Sequence, residues 1–364
     1  MSFEESGIAH KRLDDLLIAS LRFQMGERKE LFSKLEEVRS EYEGYIAGPP
    51  FAVFYWDTGL EGIDTEACFP VTSPVETSEI ESRTLVGEEV FTKLHRGAHA
   101  SIDETYREIG ACLVEHGLNP ENKSREVFLE YLPNSPQDNV TEIQVSFVNW
   151  EQRLSDNLGR VLGASACSDV LLDLDTISLG CSRHERKAWV NCAMERLRAN
   201  TTEVQRFDIL SGCAHIFSPR RIDRVRAIYE STMDIDEVLK AMAEDPEWYE
   251  KPTREGDTIH VTKVPRNRKG YEEATDDAER RMHYCHCALV RNNPGDVHPD
   301  FCYCGSGWYR QIWEGILGKP VRVEILKSLT KGHDTCQFAI HLAPQQPRTT
   351  PWRGAGQNGS GAPE

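Results

Sequence analysis

The stretch KLHRGAHASIDETYREIGACLVEHGL (residues 93–118) combines the end of a strand, a turn and a helix. Its apolar side chains recur every three or four residues, as on one face of a helix: Ile102, Tyr106, Ile109 and Leu113. Ser101 and Glu104 predict a capping box at the start of this helix, in which each side chain accepts from a backbone N–H group. Gly117 predicts its end, because glycine readily adopts the left-handed backbone that closes a helix.

Predicted strands flank this helix in the order strand, helix, strand, strand. EEVFTKLH (residues 88–95) precedes it, and EVFLEYL (residues 126–132) and TEIQVSF (residues 141–147) follow it. All three are rich in β-branched and aromatic residues, which favour strands. The segment therefore forms one βαββ repeat.

The same order occurs earlier in the chain. A strand at residues 16–23 is followed by strands at residues 51–56 and 65–71, and the helix between has an apolar face of Leu31, Leu35, Val38 and Tyr42. The sequence thus predicts a duplicated βαββ domain. Each repeat covers one sheet face with its helix, and we expect the open faces of the two repeats to pack face to face. A groove between such halves is a typical small-molecule site.

Four stretches in this order resemble the GyrI-like effector-binding family, of the AraC-type effector-binding and SOUL-like kind: GPPFAVFYWD, DTEACFPV, KLHRGAHASIDETYREIGACLVEHGL and REVFLEYLP with the following VTEIQVSF. The resemblance covers about residues 10–150. It implies that a small molecule, often aromatic or cationic, binds between the two halves. It also implies an alternative activity, because some members hydrolyse strained electrophilic compounds.

The resemblance places a pocket glutamate at Glu126. Strand alternation puts Glu126, Phe128 and Glu130 on one face. Burial among aromatic rings would raise the pKa of that carboxyl and let it bind a cation or act as a general base. The alternative is a solvated strand face. The family usually has tyrosine where Phe128 stands, which weakens the hydrolase interpretation. We predict these ligand-binding residues in the groove: Phe54, Trp56, Phe69, His95, Tyr106 and Phe128.

The charge of the chain excludes several classes of partner. It has 42 Lys and Arg against 59 Asp and Glu, a net charge of -17. Nucleic acids and anionic membranes attract basic surfaces, so we expect neither as a partner. The sequence has no apolar signal segment and no run of the roughly 18 apolar residues that a membrane span needs. We therefore expect a cytoplasmic protein whose 11 cysteines are not a disulfide framework.

The pattern changes to helical spacing after about residue 150. SPRRIDRVRAIYE (residues 218–230) begins a helix with proline in its first turn. We predict a first domain at residues 1–150 and a second at residues 151–343, with helices followed by a Cys-rich α+β part. Residues 344–364 are rich in Pro, Gly and polar residues, which predicts a disordered tail. The predicted fold class is α+β.

HYCHCALVRNNPGDVHPDFCYC (residues 283–304) contains four cysteines. If RMHYCHCALV (residues 281–290) is a strand, its alternation puts Cys285 and Cys287 on one face, and DFCYCG (residues 300–305) would place Cys302 and Cys304 in the same way. An aromatic helix follows, and then a hairpin at residues 321–342.

About residues 280–343 resemble the 4-vinyl reductase-type small-molecule-binding domain and an uncharacterised bacterial Cys-rich family. The resemblance implies an aromatic ligand pocket, to which we assign Trp308 and Trp313, beside a zinc site. The implied metal ligands come from this set: Cys285, Cys287, Cys302, Cys304, Glu324 and Cys336. Ser328 stands where the family has a further cysteine, and a serine does not replace a thiolate as a zinc ligand. Buried reduced thiols and a dithiol redox pair are the alternatives.

The leading hypothesis is a small-molecule-binding or sensing protein without catalysis. A hydrolase that uses Glu126 as general base is the second. A metal- or thiol-dependent enzyme centred on residues 285–304 is the third.

Overall fold

The computed structural model describes residues 3, 5–56, 62–74, 77, 79–163, 167–246, 248 and 250–342. The predicted tail at residues 344–364 lies outside them. The chain divides into an N-terminal unit, Met1–Val148, and a C-terminal unit, Asn149–Glu364. The fold is mixed α+β, as predicted. That each unit folds alone stays a prediction. Among the described helices, none has the length and apolar character needed to cross a membrane.

The N-terminal unit is one antiparallel sheet with two main helices. Its elements are, in order, β1 (Ala9–Arg12), β2 (Leu16–Met25), α1 (Arg28–Tyr42), β3 (Phe51–Tyr55), β4 (Ile63–Pro70), β5 (Glu81–Leu85), β6 (Glu89–Arg96), α2 (Ile102–Glu115), β7 (Pro120–Glu130) and β8 (Val140–Phe147). The strands lie in the order β1-β6-β8-β7-β3-β4-β2-β5. The two predicted repeats are present, as β2-α1-β3-β4 and β6-α2-β7-β8.

The predicted face-to-face packing of the repeats is wrong. Instead β3 pairs with β7, so that Phe54 lies opposite Ser124 and the two repeats continue one sheet. The pairing satisfies the backbone hydrogen-bonding groups of two strand edges that face-to-face packing would leave open. Alternation in sequence shows which residues share a face, and it does not show which edges join.

Both helices cover the same face of this sheet. Helix α1 lies over β2 and β4, and α2 lies over β6 and β8. Arg28 of α1 and Tyr106 of α2 both reach Glu126 on β7, which requires that they approach from one side. We call the space between α1 and α2, above β3 and β7, the groove.

The predicted apolar faces hold the helices on the sheet. All four α1 residues of the predicted stripe are buried, against a cluster that includes Phe54 and Phe69. Each such side chain stabilises the fold by roughly 1.5–3 kcal/mol. The predicted capping box at Ser101 is wrong, because the Ser101 hydroxyl donates to the Ala98 carbonyl in a preceding 3₁₀ turn. The helix ends before Gly117, which has a φ of +75°.

The C-terminal unit packs helices beside a four-stranded sheet. Its helices are α3 (Trp150–Leu162), α4 (Cys167–Val170), α5 (Arg183–Asn200), α6 (Glu203–Ser211), α7 (Pro219–Thr232), α8 (Ile235–Glu244), α9 (Arg268–Glu273), α10 (Asp277–Tyr284) and α11 (Tyr303–Leu317). The sheet has the order β11-β12-β10-β9, formed by β9 (Thr253–Glu255), β10 (Thr258–Thr262), β11 (Arg322–Lys327) and β12 (Gln337–His341). The predicted terminal hairpin is therefore confirmed.

Neither cysteine segment forms the strand that its alternation would allow. Residues up to Tyr284 belong to α10, and Cys285 and Cys287 follow in irregular backbone. Cys302 ends a 3₁₀ turn, and Cys304 lies in the first turn of α11. A two-residue alternation over so few positions fits the end of a helix as well as a strand, and the tertiary contacts decide between them.

Helix α11 crosses α6 at a glycine. A Cβ atom built on Gly307 would clash with the backbone carbonyl of Ser211 and the Cβ atom of Ala214. The close approach lets Arg310, one turn further along α11, bond Asp208 and Ser211 in the interior. Glycine at this position is thus required by the distance between the two helices.

Replacing Gly307 by Ala should lower the free energy of unfolding by at least about 1–3 kcal/mol, because overpacked contacts cost this much and backbone cannot easily move aside. Gly159→Ala in α3 is the matched control, since its added Cβ would meet nothing within 4 Å. Alanine there should stabilise by up to about 1 kcal/mol. Urea unfolding of the full chain, followed by circular dichroism, compares the two. Equal stabilities of the two variants would contradict the close approach.

Candidate functional site

Glu126 lies near the middle of β7 at the floor of the groove, and only 1% of it is exposed. Strand alternation places Ser124 and Phe128 on the same face. The pairing with β3 brings Phe54 alongside. The floor is therefore a buried carboxylate between aromatic rings, and the sequence-based placement of Glu126 among aromatic residues agrees with this geometry.

Arg28 forms a two-pronged ion pair with Glu126. Its Nη1 donates to Oε2 at 2.5 Å and its Nη2 donates to Oε1 at 3.0 Å. The guanidinium Cζ also lies 5.7 Å from the centre of the Phe54 ring. This fork-to-fork geometry is among the strongest that a carboxylate makes. Arg28 was not predicted as a site residue, because nothing in the local pattern of α1 distinguishes it from a solvated arginine.

Hydroxyl and indole groups extend the bonding around Glu126. The Tyr106 hydroxyl donates to Glu126 Oε1 at 3.2 Å and lies 3.1 Å from Ser124 Oγ. The Trp56 indole N–H donates to that Ser124 oxygen at 3.0 Å. Burial, and next the charge of Glu126, raise the pKa of Tyr106 well above its ordinary value, so Tyr106 stays a donor. Both carboxylate oxygens of Glu126 thus accept from protein donors.

Aromatic rings line this end of the groove. The Trp56 ring stacks on Phe54 with centres 5.7 Å apart and meets Tyr106 edge-on at 6.2 Å. Trp56 is 37% exposed, so a part of its surface faces solvent. A flat ring can contact such a surface by stacking.

A second aromatic cluster lies further along the groove, around Phe128. Phe32 of α1 stacks on Tyr131 with centres 4.0 Å apart and lies 5.3 Å from Phe128. His99, just before α2, meets Phe128 edge-on at 5.7 Å. Burial, and next the charges of Arg28 and His95, lower the pKa of His99 to about 4. His99 is therefore neutral near neutral pH.

Two of the predicted ligand-binding residues lie outside the groove floor. Phe69 is buried in the apolar core that includes Phe54 and Phe128. His95 is buried, with Nδ1 3.0 Å from Thr105 Oγ1 and Nε2 3.1 Å from the Ala98 carbonyl. The structure brings the other four together with Glu126: Phe54, Trp56, Tyr106 and Phe128.

In the C-terminal unit, burial and neighbouring thiols shift the pKa of two of the predicted metal-ligating cysteines. Burial, followed by the neighbouring thiols of Cys287, Cys302 and Cys336, raises the pKa of Cys285 well above its ordinary value. Burial, followed by Cys336, raises that of Cys302 to about 12. Tyr284 Oη accepts from the Cys336 N–H at 2.9 Å, which ties Cys336 to the residue before Cys285.

Two further predicted metal ligands, Cys304 and Glu324, make contacts with other residues. Cys304 donates to the Cys213 carbonyl at 3.4 Å. Glu324 lies on the exposed face of β11 and contacts His341 Nε2 at 3.1 Å. Within the described residues, no group of three or more His, Cys, Asp or Glu side chains is arranged to hold a metal ion.

The two predicted pocket tryptophans differ in environment. Trp313 is buried in the core of the C-terminal unit. Trp308 is half-buried, meets Phe217 edge-on at 4.9 Å and has Lys263 Nζ 5.9 Å from its ring centre. Of the two, Trp308 is the one with surface left for a ligand.

Comparison with known proteins supports the family resemblance of the N-terminal unit. Residues 16–147 match the family model of the GyrI-like small molecule binding domain. The predicted resemblance of this region is confirmed, and with it a small-molecule-binding domain. The 4-vinyl reductase-type resemblance of residues 280–343 has no support from the matches and stays a prediction. No curated protein matches the chain.

Several solved structures are similar to about two fifths of this chain. EcmrR in a complex with DNA is 18% identical with a TM-score of 0.35, and the match covers 38% of this chain and 56% of that one. A hydrolase encoded by lin2189 from Listeria innocua is 12% identical, with a TM-score of 0.29 and coverage of 39% and 92%. SAV2435 bound to tetraphenylphosphonium is 11% identical, with a TM-score of 0.31 and coverage of 40% and 96%. Likeness at this level carries no conclusion about function.

The low pKa of His99 predicts a loss of stability in mild acid. An unfolded histidine binds a proton below about pH 6.5, whereas folded His99 binds one only below about pH 4. Between these values the unfolded state holds more protons, so the free energy of unfolding falls as the pH falls. His99→Gln should lose less stability than the wild type across this window. Urea unfolding at several pH values measures it, and parallel curves for both proteins would contradict the pKa.

Proposed function

We propose that the N-terminal unit binds a small aromatic molecule in the groove, as a binding or sensing protein. The observation that carries the proposal is the buried Glu126, which accepts from α1 and α2 at once beneath stacked aromatic rings. Such a floor combines apolar area with a few fixed polar groups, which is the usual composition of a small-molecule site. The match of residues 16–147 to a small-molecule-binding family supports the same function. A cytoplasmic location stays a prediction.

Hydrolysis with Glu126 as general base remains the alternative. A general base needs an oxygen free to take a proton from water. Both Glu126 oxygens accept from Arg28 or Tyr106, and Phe128 supplies no hydroxyl beside them. This arrangement favours binding over catalysis.

Trp56→Ala should weaken binding of a neutral aromatic probe, 4-phenylpyridine, by about 1 kcal/mol or more, because the stacking surface is lost. Tyr45→Ala is the matched control, since Tyr45 is an exposed aromatic residue of the same unit that follows α1. Isothermal titration calorimetry of the full chain measures both. Absence of binding to the wild type, or equal losses in both variants, would reject this groove as the site.

Zinc binding by the C-terminal unit is a second candidate function. The observation that favours it is the effect of neighbouring thiols on two of the predicted metal-ligating cysteines: Cys287, Cys302 and Cys336 act on Cys285, and Cys336 and Cys287 act on Cys302. Zinc takes four ligands and binds thiolates well, and it deprotonates thiols whose pKa is high. The side chains as placed do not converge on one centre, so zinc would require thiol rotations. Thr330 Oγ1 donates to Cys302 Sγ and lies 3.1 Å from Ser328 Oγ.

Metal analysis of protein purified without added metal tests this candidate. A filled structural site holds about one zinc per chain, and Cys302→Ser should reduce that content sharply. Cys192→Ser, at an exposed cysteine of α5, should leave it unchanged. A chelator should then lower the melting temperature of the wild type, because metal and fold are coupled. Less than about a tenth of an equivalent would leave the cysteines as buried thiols.

A further inference from the structure

We propose that Arg28 is the specificity-determining residue of the groove, and that it makes the groove select uncharged aromatic molecules and reject aromatic cations. The inference rests on the proposed function of the groove and names the class of its ligand. The sequence-based expectation named aromatic or cationic molecules as ligands, with Glu126 as a group that could bind a cation.

The first reason is that the chain already supplies a cation to Glu126. A buried carboxylate among aromatic rings would attract a cationic ligand if it were unpaired. Here the Arg28 guanidinium donates to both oxygens of Glu126, which is 1% exposed. The pair is neutral as a whole, so the floor of the groove offers no net attraction to a positive charge.

The second reason is the position of the guanidinium over a ring. Arg28 Cζ lies 5.7 Å from the centre of the Phe54 ring, within the range of a cation–π contact. A cationic ligand that approached Glu126 from the groove would need this same position. It would have to displace Arg28, breaking two charge-assisted hydrogen bonds that together are worth several kcal/mol.

The third reason is that other charges near the floor do not restore an attraction. His99 is neutral near neutral pH because its pKa is about 4, and Tyr106 keeps its proton. Asp103 of α2 is exposed, so solvent screens its negative charge, and after Glu126 and Tyr106 it makes only a smaller contribution that favours the charged form of Arg28. A ligand cation therefore meets the Arg28 charge before it meets an unpaired carboxylate.

The packing of α1 on the sheet makes Arg28 harder for a cationic ligand to displace. It is the first residue of α1, and Phe32 lies one turn later on the same side of that helix. Phe32 stacks on Tyr131 and packs against Phe128, which fixes this end of the helix on the sheet. The ion pair thus joins α1 to β7. A ligand cannot displace Arg28 by a side-chain rotation alone, because the helix that carries Arg28 is packed on the sheet.

A pair of probes that differ only in charge tests the inference. At a pH where 4-phenylpyridine is neutral, N-methyl-4-phenylpyridinium has the same rings with a permanent positive charge. The full-length wild type should bind the neutral probe at least about tenfold more tightly than the cation. Arg28→Gln should bind the cation at least about tenfold more tightly than the wild type does, which is the scale of a hydrogen bond to a charged group.

Three further variants isolate the cause. Arg28→Lys keeps the positive charge and should still reject the cation, which covers the case in which Arg28→Gln does not fold. Arg28→Gln combined with Glu126→Gln should lose the gained cation affinity, because the carboxylate is gone. Arg39→Gln is the matched control, since Arg39 lies on the same helix in an exposed ion pair with Glu36. It should bind both probes as the wild type does.

The outcomes separate the inference from the proposed function. Neutral-probe binding together with equal or tighter cation binding by the wild type would overturn the role of Arg28, and the aromatic groove would stand. Cation binding that Arg28→Gln leaves unchanged would do the same. Failure of every probe to bind any folded variant would overturn the groove itself and the inference with it.

Discussion

The groove between α1 and α2 depends on the pairing of β3 with β7. This pairing joins the two βαββ repeats edge to edge, so that both helices cover one face of a continuous sheet. Glu126 lies on β7 beside that junction and is reached from α1 and from α2. In face-to-face packing the two helices would lie on opposite outer surfaces. No single carboxylate could then accept from both.

The Arg28–Glu126 pair gives the groove its chemical character. A buried charge is costly unless it is paired and hydrogen-bonded, and the chain provides both within its own repeats. The pair leaves the aromatic surface of Trp56 and Tyr106 as the main attraction for a ligand. The ion pair therefore joins α1 to the sheet, and under the proposed function it also sets the charge that a ligand can carry.

The sequence predicted the elements of the N-terminal unit better than the elements around the cysteines. The α1 stripe and the end of α2 at Gly117 are found as predicted, because each rests on a local period or a backbone preference. The CxC segments were too short for such a period, and the contacts of α11 decided their conformation. Glu126 was found through the family resemblance. Arg28 was not, because its partner lies 98 residues further along the chain.

The sequence by itself determined the α+β class and the duplicated repeat, since these follow from side-chain periodicity and composition along each segment. The placement of Glu126 among aromatic residues was implied by the family resemblance. Only the tertiary structure decided that the repeats share one sheet, that Arg28 pairs with Glu126, and that Thr330 donates to the Cys302 thiol. The physical reason is that strand edges, ion pairs and thiol contacts join residues far apart in the chain. Local sequence patterns indicate which face of a helix or strand a residue lies on. Only the folded chain shows which distant residue it contacts.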